Sequence, residues 1–308
     1  MILGLGVPKT KQYALDFLWE AVMSNVSWEW LSAVQQGRQY DLDAKTPDCA
    51  VPIVPWIHPP VHPKLQNLIV RIGRKIQLSR QDKLISLDRS ISHLALVTSG
   101  VTARNFGNPI VGTENAAAIS PPGHIAFGNL NFFTERPAFG HYFALTKAEV
   151  VVCNKELLLP ALKADPELFV LLVRHFECCA LSDRIGFAFM AFAPVEERLK
   201  AFVISWAVHY AKLSGRDGKP WLTMPVPLTR SNRCLLANAS SVSTDTYLKR
   251  WKDNSVWIRN GDFVSCPISF LEETYKWMRK SEEQSAYSYA PTLLELFQHL
   301  HEIRSPLY

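Results

Sequence analysis

The chain has 308 residues, 48% hydrophobic and 20% charged, with 33 Lys and Arg against 28 Asp and Glu for a formal charge of +5. Those fractions are globular and the length suffices for two domains that each bury a core, so intrinsic disorder is not expected. No apolar run approaches the roughly 18 residues of a membrane span, and the opening MILGLGVPKTKQYALDFLWEAV lacks a secretory cleavage pattern. A cytoplasmic protein with no membrane partner is expected.

Residues 1–62 read as a helical extension followed by a Pro-rich linker. Leu15, Leu18, Trp19, Val22, Val26 and Trp30 recur at helical spacing over residues 13–31. PDCAVPIVPWIHPPVHP then breaks any regular element. Its His58 and His62 have no acidic or thiol partner at ligand spacing and read as linker histidines.

Residues 63–160 turn to short apolar runs between turn residues. RKIQLSRQDKLISL alternates, HLALVTSGVTARNF reads strand, Ser-Gly turn, strand, and HYFALTKAEVVVCN repeats the theme. Short strands at such intervals predict a sandwich or a barrel-like roll. Residues 161–193 hold one long helix, over about 166–192, because DPELFVLLVRHFECCALSDRIGFAFMAF starts with Asp-Pro and has no breaker except Gly186. Its apolar residues cover more than one face. Burial on two sides is expected, by the roll and by a second subunit, with Leu172, Phe176, Cys179 and Ile185 as candidates for the seam.

Residues 194–270 begin with the helical APVEERLKAFVISWAVHYAKL, in which Leu199, Phe202, Val203, Trp206, Ala207 and Tyr210 share a face, and SGRDGKPW ends it. LLANASSVSTDTYLKRW, residues 235–251, reads as two helical pieces hinged at serines. As a helix-turn-helix it would pack Leu236 and Ala237 on the partner helix and put Ser241 at the turn. Val242 and Tyr247 would point inward, leaving Ser243, Thr244, Asp245, Thr246, Lys249 and Arg250 outward to contact DNA. An ordinary solvated helix with a Ser-rich cap is the alternative. NSVWIRNGDFVSCPI then gives two short strands around Asn260-Gly261, and a hairpin directly after a helix-turn-helix is the winged-helix arrangement. This segment holds eleven Lys or Arg and six Asp or Glu, so it carries the whole +5 of the chain. That asymmetry favours a polyanionic partner over a merely solvated basic face. Residues 271–308 add FLEETYKWMRK and APTLLELFQHLHEIRSPL, amphipathic pieces that either pack over the core or engage a partner.

The six cysteines, Cys49, Cys153, Cys178, Cys179, Cys234 and Cys266, show no C-x-x-C pair. Structural thiols are expected, with no metal and no cofactor. Adjacent Cys178 and Cys179 on a helix point apart and bridge badly.

The order roll, long helix, winged helix-turn-helix resembles the superfamily of the cyclic-AMP receptor protein and the fumarate and nitrate reduction regulator (CRP/FNR), over about residues 65–270. IGRKIQLSRQDKLISLDRSISHLALVTSGVTARNF is similar to the family's first strands up to its L-x-x-V-x-S-G-x-V signature, present as Leu94, Val97, Ser99, Gly100 and Val101. GNLNFF, residues 128–133, resembles its G-E-L-x-L-F. LANASSVSTDTY matches L-A-x-x-x-G-V-S-x-x-T-V at Leu236, Ala237, Val242, Ser243 and Thr246. The resemblance implies an α+β chain with an N-terminal β-roll like a cyclic-nucleotide-binding jelly roll, a dimerisation helix and a C-terminal winged helix-turn-helix.

It also implies where the chain departs. The family's ribose-binding acid is replaced by Asn129, and its phosphate-binding Arg-Ser pair falls near Ala138 and Phe139. Arg136 lies close but precedes Pro137, which has no backbone N–H for a phosphate cradle. Cyclic-nucleotide binding is therefore not expected. His124 and His141 read as core or surface histidines rather than haem ligands. In the matched register Thr244 and Asp245 take the family's base-reading places, whereas a gapless register puts Ser241 and Val242 there. The expected function is a dimeric DNA-binding transcription regulator, with double-stranded DNA and RNA polymerase or another protein as partners. Its rival is a regulator acting mainly by protein–protein contact through its added ends. No P-loop, G-x-S-x-G or H-E-x-x-H occurs, and no enzyme is expected.

Overall fold

The computed structural model describes residues 53–85, 90–107, 114–128, 131–138, 140–226, 229–281 and 292–304. All fall within the unit Pro47–Tyr308. The helix expected over residues 13–31 lies outside the described residues, as do Asn129 and Phe139.

Helix α1 (Pro63–Ile72) leads into strands β1 (Arg74–Leu78), β2 (Lys83–Ile85), β3 (His93–Ser99), β4 (Thr102–Gly107), β5 (Glu114–Ser120), β6 (Ile125–Phe127), β7 (His141–Ala144) and β8 (Ala148–Asn154). They form two antiparallel sheets, ordered β1-β8-β3-β6 and β2-β7-β4-β5. The Ser-Gly turn between β3 and β4 is therefore not a hairpin but the passage from one sheet to the other. Gly100 makes it possible: at φ +74° it takes a left-handed backbone, and a Cβ there would stand 2.2 Å from the Lys147 carbonyl. Strands β3 and β8 are buried on both faces, which is why HLALV is a continuous apolar run rather than an alternating one. Ala95, Val97, Ala148 and Val150 face the roll interior with Phe127 and Tyr142. Leu94, Leu96, Val151 and Cys153 face the helices outside.

Helix α2 (Lys155–Ala164), capped by Asn154, is a separate element that the sequence pattern did not single out. It abuts α3 (Pro166–Phe192), where the Asp165 carboxylate accepts from the Glu167 and Leu168 N–H at 3.1 and 3.4 Å and Pro166 opens the first turn. One stripe of α3, Leu172, His175, Cys179, Ser182, Ile185, Gly186 and Phe189, is buried within the chain. Three of the four residues expected at a subunit seam thus lie on the inward face: Leu172 and Cys179 are 0% exposed and Ile185 2%. The fourth, Phe176, is half-buried, its ring 6.2 and 5.8 Å from those of Phe132 and Phe133. The helix is apolar on two faces because the roll already claims one of them.

The Pro-rich segment is no loose linker. Val54, Trp56, Ile57 and His58 are buried between β5 and α3, and Val61 is buried beside α1. The Ile119 N–H donates to the Trp56 carbonyl at 2.6 Å, and the Ser182 hydroxyl donates to the carbonyls of Val54 and Ile57 at 2.7 and 3.3 Å. Trp56 lies against Gly186, where a Cβ would approach its Nε1 to 2.9 Å. The Asp183 carboxylate accepts from Arg104 at 2.5 Å and stands 3.3 Å from His58, tying β4, α3 and the segment together.

The winged region starts with α4 (Val195–Tyr210), in which Leu199 to Val208 is buried but for Lys200. Strands β9 (Lys212–Arg216) and β10 (Lys219–Pro225) follow, then α5 (Arg230–Leu236), α6 (Ser241–Asp253), β11 (Ile258–Asn260) and β12 (Phe263–Pro267). SGRDGKPW, expected only to end a helix, is the bend of the β9–β10 hairpin, with Asp217 and Gly218 at φ 51° and 70°. The wing forms as expected, its Asn260 pairing with Phe263 across Gly261 and Asp262, and joins a sheet ordered β11-β12-β10-β9. Helices α7 (Glu272–Ser281) and α8 (Leu293–Arg304) bury Tyr275, Met278, Leu293, Leu296, Phe297 and Leu300 in the same core. Of the two fates considered for the C-terminal pieces, packing over the core is the one observed. Trp277 also reaches α3, its ring 4.3 Å from that of Phe189.

Candidate nucleic-acid interface

Helices α5 and α6 are joined over Ala237 to Ser240. Asn238 takes φ 45°, and the Ala239 N–H returns to the Cys234 carbonyl at 2.9 Å. Ser240 is the N-cap of α6, accepting from the Ser243 N–H at 3.0 Å. Ser241 is therefore the first residue of the second helix rather than the turn. Leu236 and Ala237 are buried as expected. The far end of α6 is anchored by Trp251, whose indole N–H donates to Glu196 on α4 at 2.9 Å and whose ring packs on those of Trp257 and Phe270.

Counting back from Trp251 at helical spacing puts Thr244 inward, and this overturns two expectations. Thr244 is 0% exposed, its Oγ1 3.4 Å from the Cys234 Sγ, so it cannot meet a base. Val242, expected inside, is 71% exposed. Tyr247 is partly buried against the core, as expected. The helix begins three residues before the place that the matched register assigned to its first turn, as in the gapless alternative. Its outward face is Ser241, Val242, Asp245, Thr246, Lys249 and Arg250. Ser243 is half-buried, its hydroxyl engaged with that of the capping Ser240 at 2.9 Å.

Two of the charged candidates are already held by the chain. Asp245 receives a forked contact from Arg230 on α5, Nε to Oδ1 at 2.9 Å and Nη2 to Oδ2, and these hydrogen bonds raise the Arg230 pKa. Arg250 pairs with Glu196 and lies over the Tyr247 ring at 4.9 Å. Burial pushes the Glu196 pKa up, but its hydrogen bonds from Arg250 and Trp251 outweigh that and hold it low. Thr246 is exposed and donates to the Val242 carbonyl at 2.8 Å. Lys249 is exposed, and so are Lys252 on α6, Arg259 on the wing and Lys219 on β10.

The roll meets this region without covering that face. It is α5 that lies against β5, and the His124 and His209 rings meet edge to face at 5.0 Å. Burial lowers the His124 pKa to about 4, and its Nδ1 is 2.8 Å from the Pro122 carbonyl. Where the resemblance put a phosphate-binding pair, Ala138 is buried and Arg136 is exposed. Among the described residues no three His, Cys, Asp or Glu are grouped to hold a metal ion, and no helix is long and apolar enough to cross a membrane.

No protein-family model matches the chain, and no curated protein matches it in sequence. Solved structures do match. A CooA variant from Carboxydothermus hydrogenoformans superposes with a TM-score of 0.55 at 11% identity, over 75% of this chain and 99% of that one. FixK2 from Bradyrhizobium japonicum gives 0.54 at 12% identity, over 63% and 92%. The c-di-GMP responsive global regulator CLP of Xanthomonas campestris gives 0.52 at 13% identity, over 67% and 99%. All three are regulators of the CRP/FNR type. Roll, long helix and winged helix-turn-helix occur here in the order inferred from the sequence, and the chain has the α+β fold of the CRP/FNR regulators.

Proposed function

We propose that the protein is a DNA-binding transcription regulator, working as a cytoplasmic homodimer on double-stranded DNA and doing no catalysis of its own. The observation that carries this reading is the outward face of α6. The helix stands second in a helix-turn-helix, is followed by a wing, and turns Ser241, Asp245, Thr246 and Lys249 to solvent. The excess of eleven cations over six acids in residues 194–270 supplies the matching field for phosphates. In this reading Lys249 and Lys252 meet the backbone, Asp245 and Thr246 meet base edges, and Arg250 and Ser243 support the helix from within the chain. Thr244 has no reading role. The proposed domain plan divides residues 1–62, 63–160, 161–193, 194–270 and 271–308, except that residues 53–62 pack with the roll, whose C-terminal boundary moves to the end of α2 (Lys155–Ala164); RNA polymerase or another protein is a further partner.

The dimer in this reading uses the outer face of α3. Val173, Glu177, Ala180, Arg184, Phe187 and Ala191 are exposed there and follow the alternating four- and three-residue spacing of a coiled-coil seam. Cyclic nucleotides are not part of the proposal, because Ala138 and the exposed Arg136-Pro137 offer no buried cradle. Regulation mainly through the added ends is the weaker reading, since α7 and α8 are committed to the chain's own core.

A genome-wide DNA-binding assay on the tagged protein tests this. A palindromic motif with half-sites about one helical turn apart is the expected result. No enrichment, together with no shift of any duplex by the purified protein, would sink the proposal.

A further inference from the structure

Val242 is the most exposed large apolar side chain among the described residues of the winged region, with 71% of its surface in water, and it stands at the second position of α6. Folding gives no reason for it. Its side chain takes no part in the core beneath α6, and a β-branched residue does nothing for a helix's first turn that serine or aspartate would not do better. Its neighbours on the same face, Ser241, Asp245, Thr246 and Lys249, are polar and exposed. The surroundings are cationic, which matches duplex DNA rather than an apolar protein surface.

A residue at the N-terminal end of the second helix is one that meets base edges. In the major groove each edge offers hydrogen-bonding atoms, except that thymine also carries an apolar group, its C5-methyl. We propose that Val242 reads one thymine of each half-site by packing its methyl groups on that C5-methyl. Beside it Asp245 keeps lone pairs free of the Arg230 fork with which to accept from a cytosine or adenine amine. Arg230 in turn offsets the repulsion that an unpaired Asp245 would meet from the phosphates. Thr246, exposed one turn on, has its hydroxyl taken up by the Val242 carbonyl.

This inference rests on the DNA-binding reading, and the experiment separates the two. Duplexes are selected from a random-sequence pool by the full-length parent protein. Each thymine of the selected site is then replaced in turn by uracil, which lacks the methyl group, and titrated against the parent and Val242→Ala. Burying one methyl group is worth about fourfold in affinity, the equivalent of ~0.8 kcal/mol at 1.4 kcal/mol per decade. One symmetry-related pair of thymines should show that loss with the parent and lose it with Val242→Ala, whose fold circular dichroism checks. A selected site in which uracil costs nothing anywhere, or costs the same in both proteins, overturns the role of Val242 and leaves DNA binding standing. Failure to select any duplex overturns both.

Discussion

Asp183 to Asn is the substitution whose cost the structure fixes most closely. The Asp183 carboxylate lies 2.5 Å from Arg104, which is 1% exposed, and 3.3 Å from His58. Removing its charge leaves a guanidinium buried without its counter-ion, a defect that costs about 3–5 kcal/mol. Replacing both partners, Arg104→Met with Asp183→Leu, takes the charges out together and should cost far less than the two single changes summed. Urea unfolding followed by circular dichroism and tryptophan fluorescence measures all four proteins. The same pair sets an acid limit. Burial pushes the Asp183 pKa up, but Arg104 and His58 outweigh it and bring it from an ordinary 3.8 to about 2. A folded-state pKa below the unfolded one stabilises above the unfolded value, and the gain is lost as pH falls through the folded one. The parent should therefore shed about 2 kcal/mol between pH 4 and pH 2, and Asp183→Asn should show no such step. A loss below about 1 kcal/mol in the single variant at pH 7, or an unchanged acid profile, would refute the reasoning.

Three further outcomes test the interface and the seam. Lys249→Ala should reduce the slope of log affinity against log salt by about 0.9 for each phosphate the side chain neutralises, and Arg250→Ala by less because Glu196 already holds that side chain; gel-shift titrations at several salt concentrations measure both. Thr244→Arg should not create a guanine contact but destabilise the winged region by about 3 kcal/mol or more, since it puts a charge in a fully buried place; thermal melts detect it. Phe187→Glu should dissociate the dimer in sedimentation while leaving the subunit's melt within about 0.5 kcal/mol of the parent's, whereas Leu172→Glu should unfold it.

What could be read in the sequence followed local signals. The Asp-Pro start of α3, the wing at Asn260-Gly261 and the alternating RKIQL of β1 were legible because cap, turn and period-two patterning each leave a mark in a few neighbouring residues. The Asp217-Gly218 hairpin carried an equally strong mark, but it stood at the end of a helix and read as a terminator. Three failures were not local. The start of α6 was ambiguous because Ser240, Ser241 and Ser243 can each cap a helix. Only the inward pull of Trp251 and Thr244 chooses among them. Which apolar stripe of α3 faces the roll depends on Trp56 meeting Gly186, and Ser182 meeting Val54 and Ile57, from distant parts of the chain, and no periodicity reports that. Arg230, which forks Asp245, was missed although it lies only 15 residues away, because nothing marks two exposed charges as partners before the helices are placed.

The buried Pro-rich segment has a consequence for the order in which the molecule assembles. Val54 and Ser182 are 128 residues apart in the chain, so the ribosome releases the segment long before α3 exists to receive it. The left-handed backbone of Trp56, φ 62° in the folded protein, keeps its β5 hydrogen bond without α3 but lacks the α3 side that completes its packing. Closing so long a loop for a small patch of contact is slow. The roll should gain its strands first and the wedge between β5 and α3 should lock last. In hydrogen exchange of the native protein, the amide of Ile119, which donates to the Trp56 carbonyl, should open before those of β3 and β8.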